Sequence, residues 1–453
     1  MENKNHTVTT LAEMINKGEA STVEICREYF ERVERSQSGA IITLMREKAL
    51  ASAEAVDKRI AAGEDLPLAG VPFAIKDNIC TVGTRTTCAS RMLEDFVPSY
   101  SATAYDRLIS AGAVPVGKAN MDEFAIGDTG DTSYFGACKN PLDHSRVPGG
   151  SSSGSAAALA EGLVLGALGS DTGGSSRLPA SYCGIYALKP TYGAVSRFGL
   201  VGMAPSLEQI CPMAADLDGC ETIFNVIRGR DLRDMTTKDI SSGDDSFYRV
   251  GVYLTSDTPD EVRSVVIRAA DTLSRLGVKC EEVTLPEANT VSRVYYTISS
   301  AEAYSTLSRF DGIRYGRRGE DGRSRTARTE GFGKRLRERL AEGVYSLTHD
   351  DGAPYVSALE LRERIKRGMS VLFGEYDLIL TAVADTTAPK MGEGTFGGDR
   401  YNLYANLTGC PALAIPFGKG YDGLPIGIQF MAPHGCEPRL FAAARRLKWE
   451  VTE

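Results

Sequence analysis

The sequence predicts an α/β fold, and three observations carry that prediction. Of the 453 residues, 42% are hydrophobic and 24% charged, the usage of a globular chain with a sizeable core. Short apolar runs of strand length alternate along it with amphipathic runs of helical length. Residues 250–254, 261–276 and 278–283 follow one another as apolar, amphipathic and apolar runs, which reads as a strand-helix-strand unit. The length suits two or three ordinary domains, or one large α/β domain with its sheet covered on both faces.

Taken in order, Ser21-Thr22-Val23-Glu24 has the capping-box pattern, and Val23, Cys26, Phe30 and Val33 follow at helical spacing. The pattern predicts an N-terminal amphipathic helix. A second helix is expected over 50–62, and residues 70–75 read as a buried strand that delivers Lys76 to its end. Residues 101–110 look helical, Gly112 stops them, and 113–116 return to strand. Good helix formers fill 156–160, and 376–382 is another apolar strand. The polar stretches 229–245 and 316–328 are expected as surface insertions.

Charge and composition exclude several classes of function. Fifty-one basic against 59 acidic residues give a net charge of −8, so no global field draws the chain to nucleic acid or an anionic membrane. Any RNA contact is expected from a local patch or a partner. The longest apolar run, 162–169, is far short of the ~20 residues that span a bilayer. The polar residues 1–6 lack the apolar segment of a secretory signal, so a cytoplasmic location is expected. Ten cysteines without a C-x-x-C pair suggest small buried hydrophobes and no metal site.

The chemistry concentrates in two glycine-rich turns. Pro148-Gly149-Gly150-Ser151-Ser152-Ser153-Gly154-Ser155 opens the helix near 156, and Gly169-Ser170-Asp171-Thr172-Gly173-Gly174-Ser175-Ser176-Arg177 follows the apolar run. Dense glycine lets successive N–H groups point at one place, which suits an anion or a transient oxyanion. A phosphate loop needs a Lys that neither turn supplies. Gly150-Ser151-Ser152-Ser153-Gly154 matches the nucleophile elbow with Ser152 at its centre, but residues 140–148 before it do not read as a strand. Two plain turns with solvated serines are the third reading. With four histidines in the chain, lysine is the alternative base for a serine nucleophile, because burial lowers its pKa. Lys76 is placed for that role, unless it merely pairs with Asp77 or another carboxylate.

Together these segments resemble the amidase signature family. The likeness runs through residues 70–78, 149–152 and 169–175, then Cys183-Gly184 and Leu188-Lys189-Pro190-Thr191-Tyr192-Gly193. It implies one large domain over 1–453 with a mixed sheet flanked by helices, an N-terminal helical segment at about 7–62, and a catalytic core at about 70–200. It also implies a Ser-Ser-Lys triad: Ser175 the nucleophile, Ser151, preceded by a cis peptide bond, the proton relay, and Lys76 the base. Backbone N–H groups of Thr172, Gly173, Gly174 and Ser175 are implied as the oxyanion hole, with Ser152 beside the substrate.

Residues 117–124, 195–201, 307–316 and 330–334 narrow the resemblance to the A subunits of aspartyl/glutamyl-tRNA amidotransferases. That likeness implies hydrolysis of glutamine, with ammonia passed to a partner that amidates glutamate or aspartate esterified to tRNA. Arg339 is then implied for the α-carboxylate, Asp399 for the α-amino group and Tyr295 for the pocket wall. Partners would be B and C subunits, which would also contact the tRNA and hold ATP and Mg²⁺, with no cofactor in this chain. A stand-alone amidase for another small amide is the second reading. Ser153, Ser176, Leu178, Asp128, Gly130 and residues 381–385 depart from the usual pattern, as does the early C-terminus, which bears on selectivity and docking more than on the triad.

Overall fold

The computed structural model describes residues 6–240, 243–394 and 400–451. Among these residues eleven strands form one mixed sheet: β1 (Ile41–Leu44), β2 (Pro72–Lys76), β3 (Val114–Ala119), β4 (Gly166–Asp171), β5 (Tyr186–Lys189), β6 (Gln209–Ala214), β7 (Arg249–Tyr253), β8 (Lys279–Glu282), β9 (Leu378–Ala382), β10 (Ala412–Lys419) and β11 (Pro425–Met431). Their order across the sheet is β1-β3-β2-β4-β6-β5-β10-β11-β9-β7-β8. The pairs β3/β2, β2/β4, β9/β7 and β7/β8 are parallel and the remainder antiparallel. The α/β expectation with a mixed sheet is met, and the strand-helix-strand unit is β7, helix Asp260–Arg275 and β8.

The central strands are buried on both faces, and β2 shows it residue by residue. Phe73 and Ile75 join one hydrophobic cluster, with Leu168 and Ile210. Ala74 between them joins the other, with Val114, Val116 and the alanines of helix Ser153–Ala160. Alternation with period two sends neighbours to opposite faces, and a strand covered on both sides reads as the continuous apolar run seen in the sequence.

The expected amphipathic helix spans Thr22–Arg35, after a first helix at Val8–Asn16, and buries Cys26, Phe30 and Val33 as its spacing predicts. Its cap differs from expectation. Ser21 makes no side-chain cap; the Asp57 carboxylate, from helix Arg46–Ala61, accepts the N–H of Thr22 at 2.8 Å and the hydroxyl of Ser21 at 2.9 Å. A carboxylate at the positive end of the helix does the work that the local box pattern suggested for Ser21 and Glu24. All ten cysteines carry free thiols. Among the described residues no helix is long and apolar enough to cross a membrane.

What matters for function is where strands end. β2 and β4 run parallel side by side, with Ile75 paired to Leu168, so Lys76 and Asp171 finish at the same edge of the sheet. That is where loops can gather side chains over the carboxyl ends of parallel strands.

Candidate active site

Lys76 is fully buried at the end of β2. Its Nζ donates to Ser151 Oγ at 2.8 Å, to Ser152 Oγ at 2.9 Å and to the carbonyl oxygen of Ser170 at 3.2 Å. No carboxylate is among these partners. Asp77, the neighbour that could have neutralised it, faces Lys118 instead, 3.4 Å away. Burial pushes the Lys76 amine down to about 7, opposed only in part by the more distant charges of Asp122 and Asp171.

Ser151 is fully buried at the start of the turn that leads into helix Ser153–Ala160, and the peptide between Gly150 and Ser151 is cis. Ser175 is half-buried and lines a cavity with Gly150, Gly173, Gly174, Tyr295 and Arg339. The backbones of the two turns are tied together, the Ser152 N–H donating to the Ser175 carbonyl at 2.9 Å. Among the described residues no hydrogen bond joins the Ser151 and Ser175 hydroxyls. A proton relay between them would need side-chain movement or a bound substrate, since catalytic hydrogen bonds commonly tighten only when substrate binds.

Ser152 differs in position from its expected place beside the substrate. Fully buried, it does not line the cavity; its hydroxyl accepts from Lys76 and lies 3.2 Å from the Ser170 carbonyl oxygen, to which it donates. Before it, residues 141–148 run through turns, with no strand leading in, so the local geometry of a nucleophile elbow is lacking.

The second turn is held from below by Asp171. Its carboxylate accepts the Gly174 N–H at 2.8 Å and the Ser176 N–H at 3.2 Å, and it receives two guanidinium contacts from Arg177 at 3.0 Å. Burial works against its charge, but Arg177, itself fully buried, holds the carboxyl well below its ordinary range. Of the four N–H groups expected at an oxyanion hole, that of Gly174 donates to Asp171. The glycines are required here: a Cβ on Gly173 would meet the Tyr295 ring at 2.4 Å, and Gly174, at φ +113°, would press on Asn402 at 2.7 Å.

The far wall of the cavity comes from two helices. Tyr295 and Tyr296 lie on helix Val291–Leu307, and Arg335 and Arg339 on helix Lys334–Thr348. Among the described residues, the Arg339 guanidinium stacks 4.4 Å from the Tyr296 ring centre and makes only long polar contacts, 3.4 Å to Ser300 Oγ and 3.7 Å to Glu342. Arg335 pairs with Asp128 at 2.6 Å. Asp399 lies outside the described residues. Sequence reading missed Arg335, although its place four residues before Arg339 puts both on one helix face. It also missed Asp171, whose buried partner Arg177 sits six residues on, at the head of helix Arg177–Cys183. Among the described residues no group of three or more His, Cys, Asp or Glu side chains is gathered as a metal site.

With this geometry in view, the likeness to known proteins is specific. The sequence pattern of the amidase family matches residues 24–441. The A subunit of glutamyl-tRNA(Gln) amidotransferase from Lachnospira eligens is 44% identical over 94% of this chain and 94% of its own length. A second such A subunit, the one numbered 2 in Clostridium acetobutylicum, is 42% identical over 99% of this chain and 100% of its own. Among solved structures, the glutamyl-tRNA(Gln) amidotransferase A subunit of Thermotoga maritima superposes with a TM-score of 0.80 at 34% identity, covering 98% of this chain and 94% of that one. The native peptide amidase of Stenotrophomonas maltophilia superposes at 0.84 with 26% identity, over 100% and 98% of the two chains.

Proposed function

The chain belongs to the amidase family, and from that membership and the site geometry we propose that it is the glutamine-hydrolysing A subunit of a tRNA-dependent amidotransferase. The observation that carries the chemistry is Lys76: fully buried, hydrogen-bonded to hydroxyls and a carbonyl and to no carboxylate, with its amine pushed down to about 7. The relatives named as amidotransferase A subunits, similar over almost their whole length, support the choice of reaction over hydrolysis of some other small amide.

In this reading a neutral Lys76 keeps two N–H donors, for Ser152 and the Ser170 carbonyl, and turns its lone pair to the Ser151 hydroxyl. Ser151 gives that proton to Lys76 and takes one from Ser175, whose oxygen attacks the side-chain amide carbon of glutamine. The oxyanion is received by the N–H groups of Thr172, Gly173 and Ser175, each well-aimed donor worth about 3 kcal/mol in such sites. Gly174 and Asp171 hold the turn in shape. The proton returns through Ser151 to the leaving nitrogen, ammonia departs, and water releases glutamate from Ser175 by the same relay in reverse. Ser152 positions Lys76 and does not touch substrate.

Arg339 receives the α-carboxylate, Asp399 the α-amino group, and Tyr295 closes the pocket wall. Ammonia then passes to a partner that amidates Glu-tRNA(Gln) or Asp-tRNA(Asn); the B and C subunits supply the tRNA contact, the ATP and the Mg²⁺, in the cytoplasm. One assay tests the reading as a whole: ammonia release from glutamine by the chain with its B and C partners, stimulated by charged tRNA and ATP. Preference for a simple aliphatic amide, indifferent to partners and tRNA, would instead make the chain a stand-alone amidase.

A further inference from the structure

We propose that Asp128 is a second acceptor for the substrate's α-ammonium group, forming with Arg335 an exchangeable charge pair that selects amino acids over plain amides at the cavity. The inference rests on the glutamine reading and deepens it. Among the described residues, the charged side chains lining the cavity are Asp128, Arg335 and Arg339. A ligand bearing only a carboxylate needs only one of the arginines. Asp128 offers the opposite charge, and it does so from a rigid support. Its loop is pinned by the fully buried Asp122, whose carboxylate accepts the Gly130 N–H at 3.0 and 3.1 Å and the Thr132 hydroxyl at 2.7 Å. Gly127, next to Asp128, lies flush on that carboxyl group, where a Cβ would come within 2.3 Å.

Asp128 is neutralised by Arg335 at 2.6 Å. The two side chains are 25% and 41% exposed, so the pair is of the solvated kind that contributes little to stability. It can be traded for another cation at small cost. Arg339, at 20% exposure, is the more enclosed of the two arginines, which suits it to the α-carboxylate while Arg335 remains the one to yield. An ammonium has three N–H bonds to place, so a carboxylate here adds to the one expected from Asp399 and does not duplicate it. The chemical class this subsite takes is a primary ammonium adjacent to a carboxylate.

The pair predicts effects of opposite sign, which a merely structural ion pair would not give. The experiment measures kcat and KM for glutamine and for glutaramate, the same amide without the α-amino group, using the chain with its B and C partners. Asp128→Asn should raise the KM for glutamine about 10-fold or more, the scale of a charge-assisted hydrogen bond, because the ammonium then faces Arg335 without a counter-charge. The same variant should change the KM for glutaramate by less than about 3-fold, since no ammonium is present to lose its partner. Arg335→Gln should lower the KM for glutamine, because it frees Asp128, and Asp128→Glu should restore part of the loss. Equal losses on both amides, or KM shifts of the same direction in Asp128→Asn and Arg335→Gln, would overturn the proposal. Failure of the wild-type complex to hydrolyse glutamine would overturn the glutaminase reading and this inference with it, and would be seen before any variant is made.

Discussion

The Asp77 carboxylate belongs to Lys118, not to the Lys76 that precedes it: Lys118 Nζ stands 3.4 Å from Asp77 Oδ1, with both side chains fully buried. Lys118 also donates to the Ile79 carbonyl oxygen at 2.7 Å and to Thr86 Oγ1 at 2.8 Å, while Asp77 accepts from the Thr87 N–H at 2.8 Å and from the Thr87 hydroxyl. Burial pushes the Asp77 carboxyl up and the Lys118 amine down, each opposed by the other's charge. Neighbouring strands β2 and β3 thus each carry a buried lysine, Lys118 with a carboxylate beside it and Lys76 without one among its hydrogen-bond partners.

Asp77→Asn should therefore destabilise the fold and leave the chemistry's pH dependence alone. Removing one partner of a buried pair costs about 3–5 kcal/mol, which a urea unfolding midpoint at pH 7 would register. The sign with pH is fixed: the loss should shrink as pH rises, because a neutral Lys118 needs no counter-charge. The acid limb of activity should stay in place, since the carboxylates that act most strongly on Lys76 are those of Asp122 and Asp171. An acid limb displaced by a full pH unit would mean that Asp77 serves Lys76 after all.

Lys76 itself sets that limb. Its folded amine is lowered to about 7 by burial, and the neutral form is the base, so kcat/KM for amide hydrolysis should rise with pH through about 7 and level off above it. Lys76→Ala should reduce kcat far more than it changes KM, because the amine acts on the proton relay and touches no part of the substrate. A flat profile from pH 6 to 8, or near-normal kcat in Lys76→Ala, would remove lysine from the role of base.

The parts legible in the sequence were those encoded locally. Lys76 could be read because an apolar run of strand length ends on it, and the glycine turns because residues such as Gly173 and Gly174 stand where side chains have no room. Helix Thr22–Arg35 announced its buried stripe through Cys26, Phe30 and Val33. What stayed hidden depended on partners far along the chain. The cap on that helix is Asp57, 35 residues from Thr22, so the local Ser21-x-x-Glu24 pattern pointed to the wrong side chain. Lys118 reaches Asp77 only because β2 and β3 are parallel neighbours, and Asp128 meets Arg335 across 207 residues. Ser152, at the centre of an elbow-like match that the residues before it already argued against, turns its hydroxyl toward Lys76.

In the proposed reading substrate selection rests on charge, and it can be separated from folding. If Arg339 and Asp399 bracket the glutamine zwitterion, Arg339→Ala or Asp399→Ala should cost about 10- to 150-fold in kcat/KM for glutamine, the scale of one charge-assisted hydrogen bond of 1.5–3 kcal/mol. A simple aliphatic amide never makes those contacts and should be affected much less. Equal losses on the two amides, measured with the B and C partners present, would assign Arg339 to the fold, through its stacking on Tyr296.

The most direct test of the triad is to find which hydroxyl becomes covalent. A serine-reactive fluorophosphonate, added to the folded chain and followed by peptide mass analysis, should label Ser175, the serine that lines the cavity beside Gly173 and Gly174. Ser175→Ala should abolish both the label and amide hydrolysis while leaving the free energy of unfolding within about 0.5 kcal/mol of wild type, as expected for a half-buried hydroxyl outside the core. A label on Ser152, or labelling and hydrolysis that survive in Ser175→Ala, would contradict the account.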